Sequence, residues 1–552
     1  MSSRIADLIY PDVSSDLTQL TDKYLPREGN KMVVRFAPSP TGMLHLWAVY
    51  TCMINSLVNS EHKRVFVLRI EDTDQKRLVA GSIDTIISGL QYFGLEFDEG
   101  PLTPVADWYE SVGDYGPYIQ TQRQRLYDTV AKYLIEQWHA YPCFLTSEEI
   151  EQIRTWQELQ NKLPGVYGAY STYRHTNTQD VISLIEAGTP YVIRLRNPYG
   201  LWDKVSFRDL IKWDSSMWAP HQDTVLVKSD KVPVYHLAAM VDDWLMWVTH
   251  IIRADEWFSS IPLHLYISSL FNPTPPQLAH IGPLLKLDGG NRRKLSKRHD
   301  PEADVHELLR QGYEPLALIN YLANIMNSGY EEWRMTTPDA NYRDYPFTMD
   351  KISSSGAIVD MVKIGSVSQE TFARMSDEQI YHATFKRATS YHHHYVSILE
   401  NNKASCIQAI GIERHEGNDP KRFITYQDVV DHCKLFIDSE FDQMSYPEDW
   451  TSLTTEQLAE FIKVYCDAVD LSLDKETWFA QLKEVGSSLW YAATNGEFKA
   501  WWYIGKVGDL AMVLRVALCK SPRTPDLYEM MKVMGVEKTK RRLNWLSQYL
   551  LS

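Results

Sequence analysis

A chain of 552 residues exceeds what one hydrophobic core sustains, so several domains are expected. Its 44% apolar and 23% charged residues suit a folded globular protein, and no run of ~18 uninterrupted apolar residues offers a membrane span. Six scattered cysteines without a CxxC pair exclude a disulfide framework and point to reduced thiols in the cytoplasm, while the net charge of −15 confines any affinity for nucleic acid to local basic surfaces.

Residues 1–30 are polar and weakly periodic and read as an N-terminal extension, without the basic start and apolar block of a secretion signal. Residues 32–36, MVVRF, predict a short buried strand halted by the turn signal PSPTG. Leu46, Val49, Met53 and Leu57 then recur at helical spacing. A second strand is expected over 65–70, ending in Glu71, Asp72, Thr73 and Asp74, and Ile83, Ile86, Ile87 and Leu90 predict another helix. This order implies a parallel sheet with helical crossovers, whose ligand crevice lies beyond the carboxyl ends of the strands. The polar clusters around Ser39 and Glu71 fall there. Residues 132–227 are less regular and aromatic, with a strand-like piece at 191–196. A second polar block runs over 228–298, and from Leu308 the pattern is mostly helical, as at Leu453, Leu458, Phe461 and Val464. The tail's Trp478, Trp490, Trp501 and Trp502 read mostly as core.

Two strings carry chemistry. RFAPSPTGMLHL sets His45 in the first turn of a helix, where unpaired backbone N–H groups and the dipole attract phosphate and a histidine can donate to a triphosphate. By itself such a histidine more often only caps a turn. KLSKRHD follows a turn at 288–291 and sets Lys294 and Lys297 three apart, a spacing that clamps a leaving pyrophosphate. A lone KxxK is otherwise a solvated loop. Basic charge collects at Arg292, Arg293, Lys294, Lys297 and Arg298, and again at Lys538, Lys540, Arg541 and Arg542, where a solvated charged face is the favoured reading.

RFAPSPTGMLHL, VLRIEDTD, YGPYIQTQR, VPVYHLAAMVDDWLM, THIIRADEWFSS and KLSKRHDPEA occur in the order found in glutamyl-tRNA synthetases, and the chain resembles that family from about Met32 to Tyr330 and more weakly to its end. The resemblance implies a multidomain α/β plus α protein with a Rossmann-like, parallel-sheet catalytic domain split by an inserted domain and followed by a helical anticodon-binding region. The expected boundaries are an extension at 1–30, the first catalytic half at 31–133, an inserted acceptor-end-binding domain at 134–227, and the second catalytic half at 228–291. A stem-contact region carrying the KMSKS-type loop is expected at 292–380 and the anticodon-binding region at 381–552. Carried over by position, Arg35, Ser39, Glu71, Tyr235 and Arg253 hold glutamate, and arginine's planar fork suits an acidic substrate. Arg35 is expected to face the substrate's side chain and Glu71 its ammonium group. His45, Glu256, Trp257, Lys294 and Lys297 match ATP-site positions, with His45, Lys294 and Lys297 catalytic; Trp257 serves either as packing or as a wall near adenine. The implied reaction forms glutamyl-adenylate and passes the acyl group to tRNA(Glu). Magnesium accompanies ATP, no protein-bound zinc is expected because Cys143 is a single cysteine where some relatives have closely spaced ones, and a cytoplasmic monomer is expected.

The chain departs from the pattern at its HIGH-type signature, His45-Leu46-Trp47-Ala48, where the family carries glycine at the position of Trp47. A large indole there gives an alternative reading, a non-catalytic paralogue that binds tRNA or glutamate. Trp244 and Trp247 raise the further expectation that they pack with Trp47 as one wall, set against the plain alternative of three independent positions. Two other readings, a small-molecule nucleotidyltransferase and a glutaminyl-tRNA synthetase, are opposed by the helical tail and by the KLSKR and VVRFAPSPTG strings respectively.

Overall fold

The computed structural model describes residues 2–29, 31–58, 64–105, 108–272, 274–296, 299–414, 420–500 and 502–551. It divides into two units, Met1–Glu307 with Ile319–Asp360 and Leu308–Leu318 with Met361–Ser552.

The first unit opens with two short helices, α1 (Ser2–Ile9) and α2 (Thr18–Lys23). Their polar residues hide a sparse apolar stripe: Ile5, Ala6, Ile9, Leu20 and Tyr24 join the main core of the unit. Lys132 fastens the segment by donating to the carbonyls of Tyr10 and Val13. The segment that the sequence marks as an extension is thus packed on the core; six- and eight-residue helices are too short to show their periodicity.

Strand β1 (Val33–Phe36) is buried throughout, as is β2 (Val65–Leu68), and the two pair in parallel from Val33 opposite Val65 to Phe36 opposite Leu68. Strands covered on both faces read as continuous apolar runs rather than as alternation. Between them runs α3 (Leu46–Leu57), and α4 (Ser82–Tyr92) follows β2. A hairpin, β3 (Gly100–Val105) and β4 (Trp108–Val112), leads to α5 (Gln124–Glu136). Next come β5 (Ala140–Cys143), α6 (Ser147–Leu159), α7 (Thr178–Glu186), β6 (Val192–Leu195), the hairpin β7 (Lys204–Asp209) and β8 (Trp213–Trp218), and β9 (Val225–Val227). Strands β5, β6 and β9 form an antiparallel sheet.

The chain then returns to the parallel sheet through α8 (Tyr235–Leu245), β10 (His250–Ala254), α9 (Ile261–Ser269) and β11 (Gln277–Ile281). β10 and β11 are parallel, and the N–H of Thr249 bonds the carbonyl of Val33 at 3.0 Å, tying this half to β1. β7 pairs with β11 at Asp209 opposite Leu278. A strand from the middle segment thereby brings a buried aspartate to the edge of the site. The hairpin β12 (Leu284–Asp288) and β13 (Asn291–Lys294) completes the part that carries chemistry.

The second unit is helical, with two apolar clusters built on helices such as Asp377–Tyr391, Tyr426–Lys434, Thr455–Ala468 and Val507–Cys519. The basic cluster here is not a solvated face throughout. Arg542 is fully buried and donates to the carbonyls of Leu435 and Leu518 and to Asp438, while Lys538 reaches the Phe436 carbonyl. Asp438 also pairs with Arg541. Charge counted along the chain did not separate an outward lysine from an inward arginine. Of the tail's tryptophans Trp478 is core, but Trp490 and Trp502 are 68% and 100% exposed; Trp501 lies outside the described residues.

Candidate active site

The strands β1 and β2 lead into one buried network of arginines and carboxylates, and β10 brings Arg253 beside it. Arg35 on β1 and Arg69, just past β2, share Asp243 of α8, at 3.2 and 2.7 Å. Arg69 also gives Nη2 to Glu71 at 3.0 Å. One residue along α8, Asp242 takes Arg123 at 2.6 Å, the Tyr127 hydroxyl and the Gln120 amide. Burial pushes Glu71 up despite the nearby charges of Arg69 and Arg35. Burial acts on Asp243 as well, but Arg69 and Arg35 outweigh it and hold Asp243 below the ordinary aspartate value. The cluster joins three buried cations to three buried acids, which is how charges persist away from water.

Arg253, on β10, is treated differently. It is 5% exposed, and among the described residues no carboxylate lies within ion-pair distance of it. Its Nε donates to His280 Nε2 at 2.9 Å, and Nη1 lies 3.1 Å from His264 Nδ1 and 3.4 Å from the Tyr235 hydroxyl. Burial lowers its pKa, and burial together with the arginine's charge holds His264 well below the usual histidine value. Tyr235, the first residue of α8, packs on Trp257 with ring centroids 4.1 Å apart and the planes tilted by 33°.

Of the glutamate-site expectations, Arg35, Glu71, Tyr235 and Arg253 come together. Ser39 is exposed, in the loop after β1, and its neighbour Pro38 accepts the backbone N–H of Glu71 at 3.0 Å, so the two loops run side by side. Glu256 and Lys294 are joined as an exposed ion pair at 2.5 Å. His45 is the N-cap of α3, and its Nδ1 accepts the N–H of Trp47 at 2.8 Å, which leaves the ring proton on Nε2. Lys297 and Arg298 lie outside the described residues. The KMSKS-type loop is organised by Asp300, which receives both Nη groups of Arg293, the N–H of Ser296 and the Lys286 ammonium. Those bonds, Arg293 first, hold the Asp300 carboxyl well below the aspartate range.

Trp47, Trp244 and Trp247 do not build a common wall. Trp47 packs on Tyr50 of its own helix, Trp244 on Phe271, and Trp247 donates its indole N–H to the Tyr24 carbonyl. Asp300 stands in a quoted motif, as do Arg69, Asp242 and Asp243. Asp209, His264 and His280 were missed because nothing local marks them.

A family model described as class I tRNA synthetases (E and Q), catalytic domain, matches residues 31–344, and one described as an anticodon binding domain matches 420–546. The parallel sheet with these polar strand ends and the helical unit beyond it are therefore those of a class I aminoacyl-tRNA ligase. The glutamate–tRNA ligase of Clostridium perfringens (strain 13) is 38% identical over 549 residues, covering 98% of this chain and 99% of the relative. That of Acetivibrio thermocellus is 36% identical over 549 residues, with the same two shares. A solved glutamate–tRNA ligase from Elizabethkingia meningosepticum, in complex with its amino acid, superposes with a TM-score of 0.74 at 28% identity, covering 94% of this chain and 100% of that one. This chain belongs to the glutamate–tRNA ligase family. The non-catalytic reading built on Trp47 is not favoured by relatives that are ligases over nearly its whole length.

Proposed function

We propose that the chain activates glutamate with ATP and passes it to the 3′ end of tRNA(Glu), using the residues gathered at the sheet's carboxyl edge. A carboxylate oxygen of glutamate attacks the α-phosphorus, the bond to the β-phosphate's bridging oxygen breaks, and pyrophosphate leaves. A terminal ribose hydroxyl of the tRNA then attacks the acyl carbon and AMP departs. No protein nucleophile is needed; the side chains align the reactants and meet developing charge. Arg253 and Arg35 take the acid, Glu71 the ammonium group, with Tyr235 and the Ser39 hydroxyl at the edge. His45 offers Nε2–H to the triphosphate, Lys294 and Lys297 draw on the pyrophosphate, and Glu256 and Trp257 border the nucleotide. The Lys294–Glu256 pair is exposed, so phosphate oxygens displace it at little cost.

The observation that carries this reading is the burial of Arg253 among neutral partners, beside the Glu71 cluster. Magnesium enters with the phosphates of ATP, as part of the substrate. In this proposal residues 134–227 hold the acceptor end, residues 381–552 read the anticodon, and the enzyme works in the cytoplasm. No helix among the described residues is long and apolar enough to cross a membrane. Charging of tRNA(Glu) with radiolabelled glutamate tests the reading, with Trp47→Gly alongside. Charging by the chain as it stands supports it; charging by neither protein contradicts it.

A further inference from the structure

The seat of Arg253 admits one arrangement of protons. A guanidinium only donates, so His280 Nε2 and His264 Nδ1 both present lone pairs to it. The His280 proton is then on Nδ1, 2.7 Å from Asp209 Oδ2, and the His264 proton is on Nε2, 2.8 Å from His236 Nδ1. Asp209 is fully buried, and its other oxygen is fixed by the N–H groups of Ile211 and Lys212 in the turn after β7. We propose that Asp209, His280 and His264 are positioning residues for the amino-acid substrate. They hold the Arg253 fork by neutral acceptors, so that its charge stays available to a substrate carboxylate. A carboxylate in the place of His280 would cancel that charge, as Asp243 and Glu71 do for Arg69.

This proposal rests on the glutamate-binding role given to Arg253, and its own failure is distinguishable from the failure of that role. In Asp209→Asn the amide oxygen stays on the turn's N–H groups, so the NH2 faces His280 and forces its proton onto Nε2, against Arg253. The glutamate KM for adenylate formation is expected to rise about tenfold or more. The ATP KM should stay within about twofold, because the lost bond serves only the amino acid. His280→Ala should behave like Asp209→Asn, and His280→Gln, which keeps an acceptor oxygen, should recover much of the loss. Equal shifts in both KM values, or no recovery with glutamine, would mean a merely structural role and overturn the proposal. A wild-type chain that makes no glutamyl-adenylate would sink the functional reading and this one with it.

An independent observation concerns four tryptophans. Nine described non-glycine residues have positive φ, and four are Trp138, Trp213, Trp247 and Trp490, although tryptophan supplies only 17 of 552 residues. Their φ values, 57° to 63°, are left-handed backbone that bulky side chains rarely adopt. Three stand immediately past the C-caps of helices, at the position where a left-handed glycine ends a helix. After α5 the N–H of Trp138 bonds Ile135 and that of His139 bonds Leu134; after α8 Trp247 bonds Trp244 and Val248 bonds Asp243. The same paired bonds close α4 at Gly94 and α7 at Gly188. Trp213 is the first residue of β8, directly after the three-residue loop that follows Asp209, and there too a left-handed backbone favours glycine.

We infer that these are glycine positions, and that the codon behind them is read as glycine when the protein is made in its own cell. UGA, a tryptophan codon in some genetic codes, differs by one base from the glycine codon GGA, so one anticodon change in a glycine tRNA suffices. Peptide mass spectrometry of the protein from its own cells tests this, and the peptide carrying Trp47 is measured in the same run. Glycine masses at 138, 213, 247 and 490 are expected. Tryptophan masses at those positions would overturn the inference.

Discussion

Arg542 in the helical unit gives its guanidinium to two backbone carbonyls and to Asp438, whereas Arg253 in the first unit meets two histidines and a tyrosine and, among the described residues, no carboxylate. Both are buried. A guanidinium closed by an acid and by main-chain carbonyls ties distant segments together and has little left to offer a ligand. One held by neutral acceptors keeps its field, and that field attracts an anion. Burial alone does not sort these arginines: Arg69 and Arg123 are closed by acids at 2.7 and 2.6 Å, while Arg35 keeps a longer ion pair to Asp243, at 3.2 Å.

The largest expected effect tests the structural side. Asp242→Ala strips the acid from Arg123 and from the Tyr127 and Gln120 donors, leaving buried charge uncompensated. A loss of about 3–5 kcal/mol is expected in urea unfolding of the first unit. Arg542→Met should cost the helical unit about 2–4 kcal/mol with no change in the glutamate KM; a raised KM would erase the contrast with Arg253. Acid comes next. Burial lowers the His432 pKa to about 4, with the charge of Arg422 adding to the effect. A depressed pKa means the unfolded chain binds the proton first. Its stabilisation is therefore full above the ordinary histidine pKa of about 6.5 and is lost as pH falls toward 4, up to about 3 kcal/mol. His264 and His280 are depressed for the same first reason, burial, so the first unit should also weaken as pH drops below about 6.5. Denaturation midpoints across pH 7 to 4 check both. The smallest effect is at Trp247→Gly, expected to stabilise by about 1 kcal/mol by relieving left-handed backbone; a clear loss would speak against a glycine position.

Much of this was legible beforehand, for reasons that also explain what was not. The strands at Val33 and Val65 and the helices from Leu46 and Ser82 announce themselves because apolar runs and turn residues alternate over short distances. Arg35, Glu71 and Arg253 lie near one another in the structure and were singled out through ordered motifs. Their supports were not: Asp209, His264 and His280 come from three elements, and a strand register or a helix face that joins them leaves no mark in any one segment. The packing of the first thirty residues and the inward turn of Arg542 left no mark in the sequence, because composition reports how much charge a segment has and not which side chains turn inward.

Glutamate charging at saturating ATP, comparing the wild-type chain with Arg253→Ala, tests the central claim most directly. The account expects the wild type to charge tRNA(Glu), and the variant to lose about a hundredfold or more in kcat/KM for glutamate while its folding and ATP KM hold. Equal efficiency for glutamate in the two proteins would contradict it.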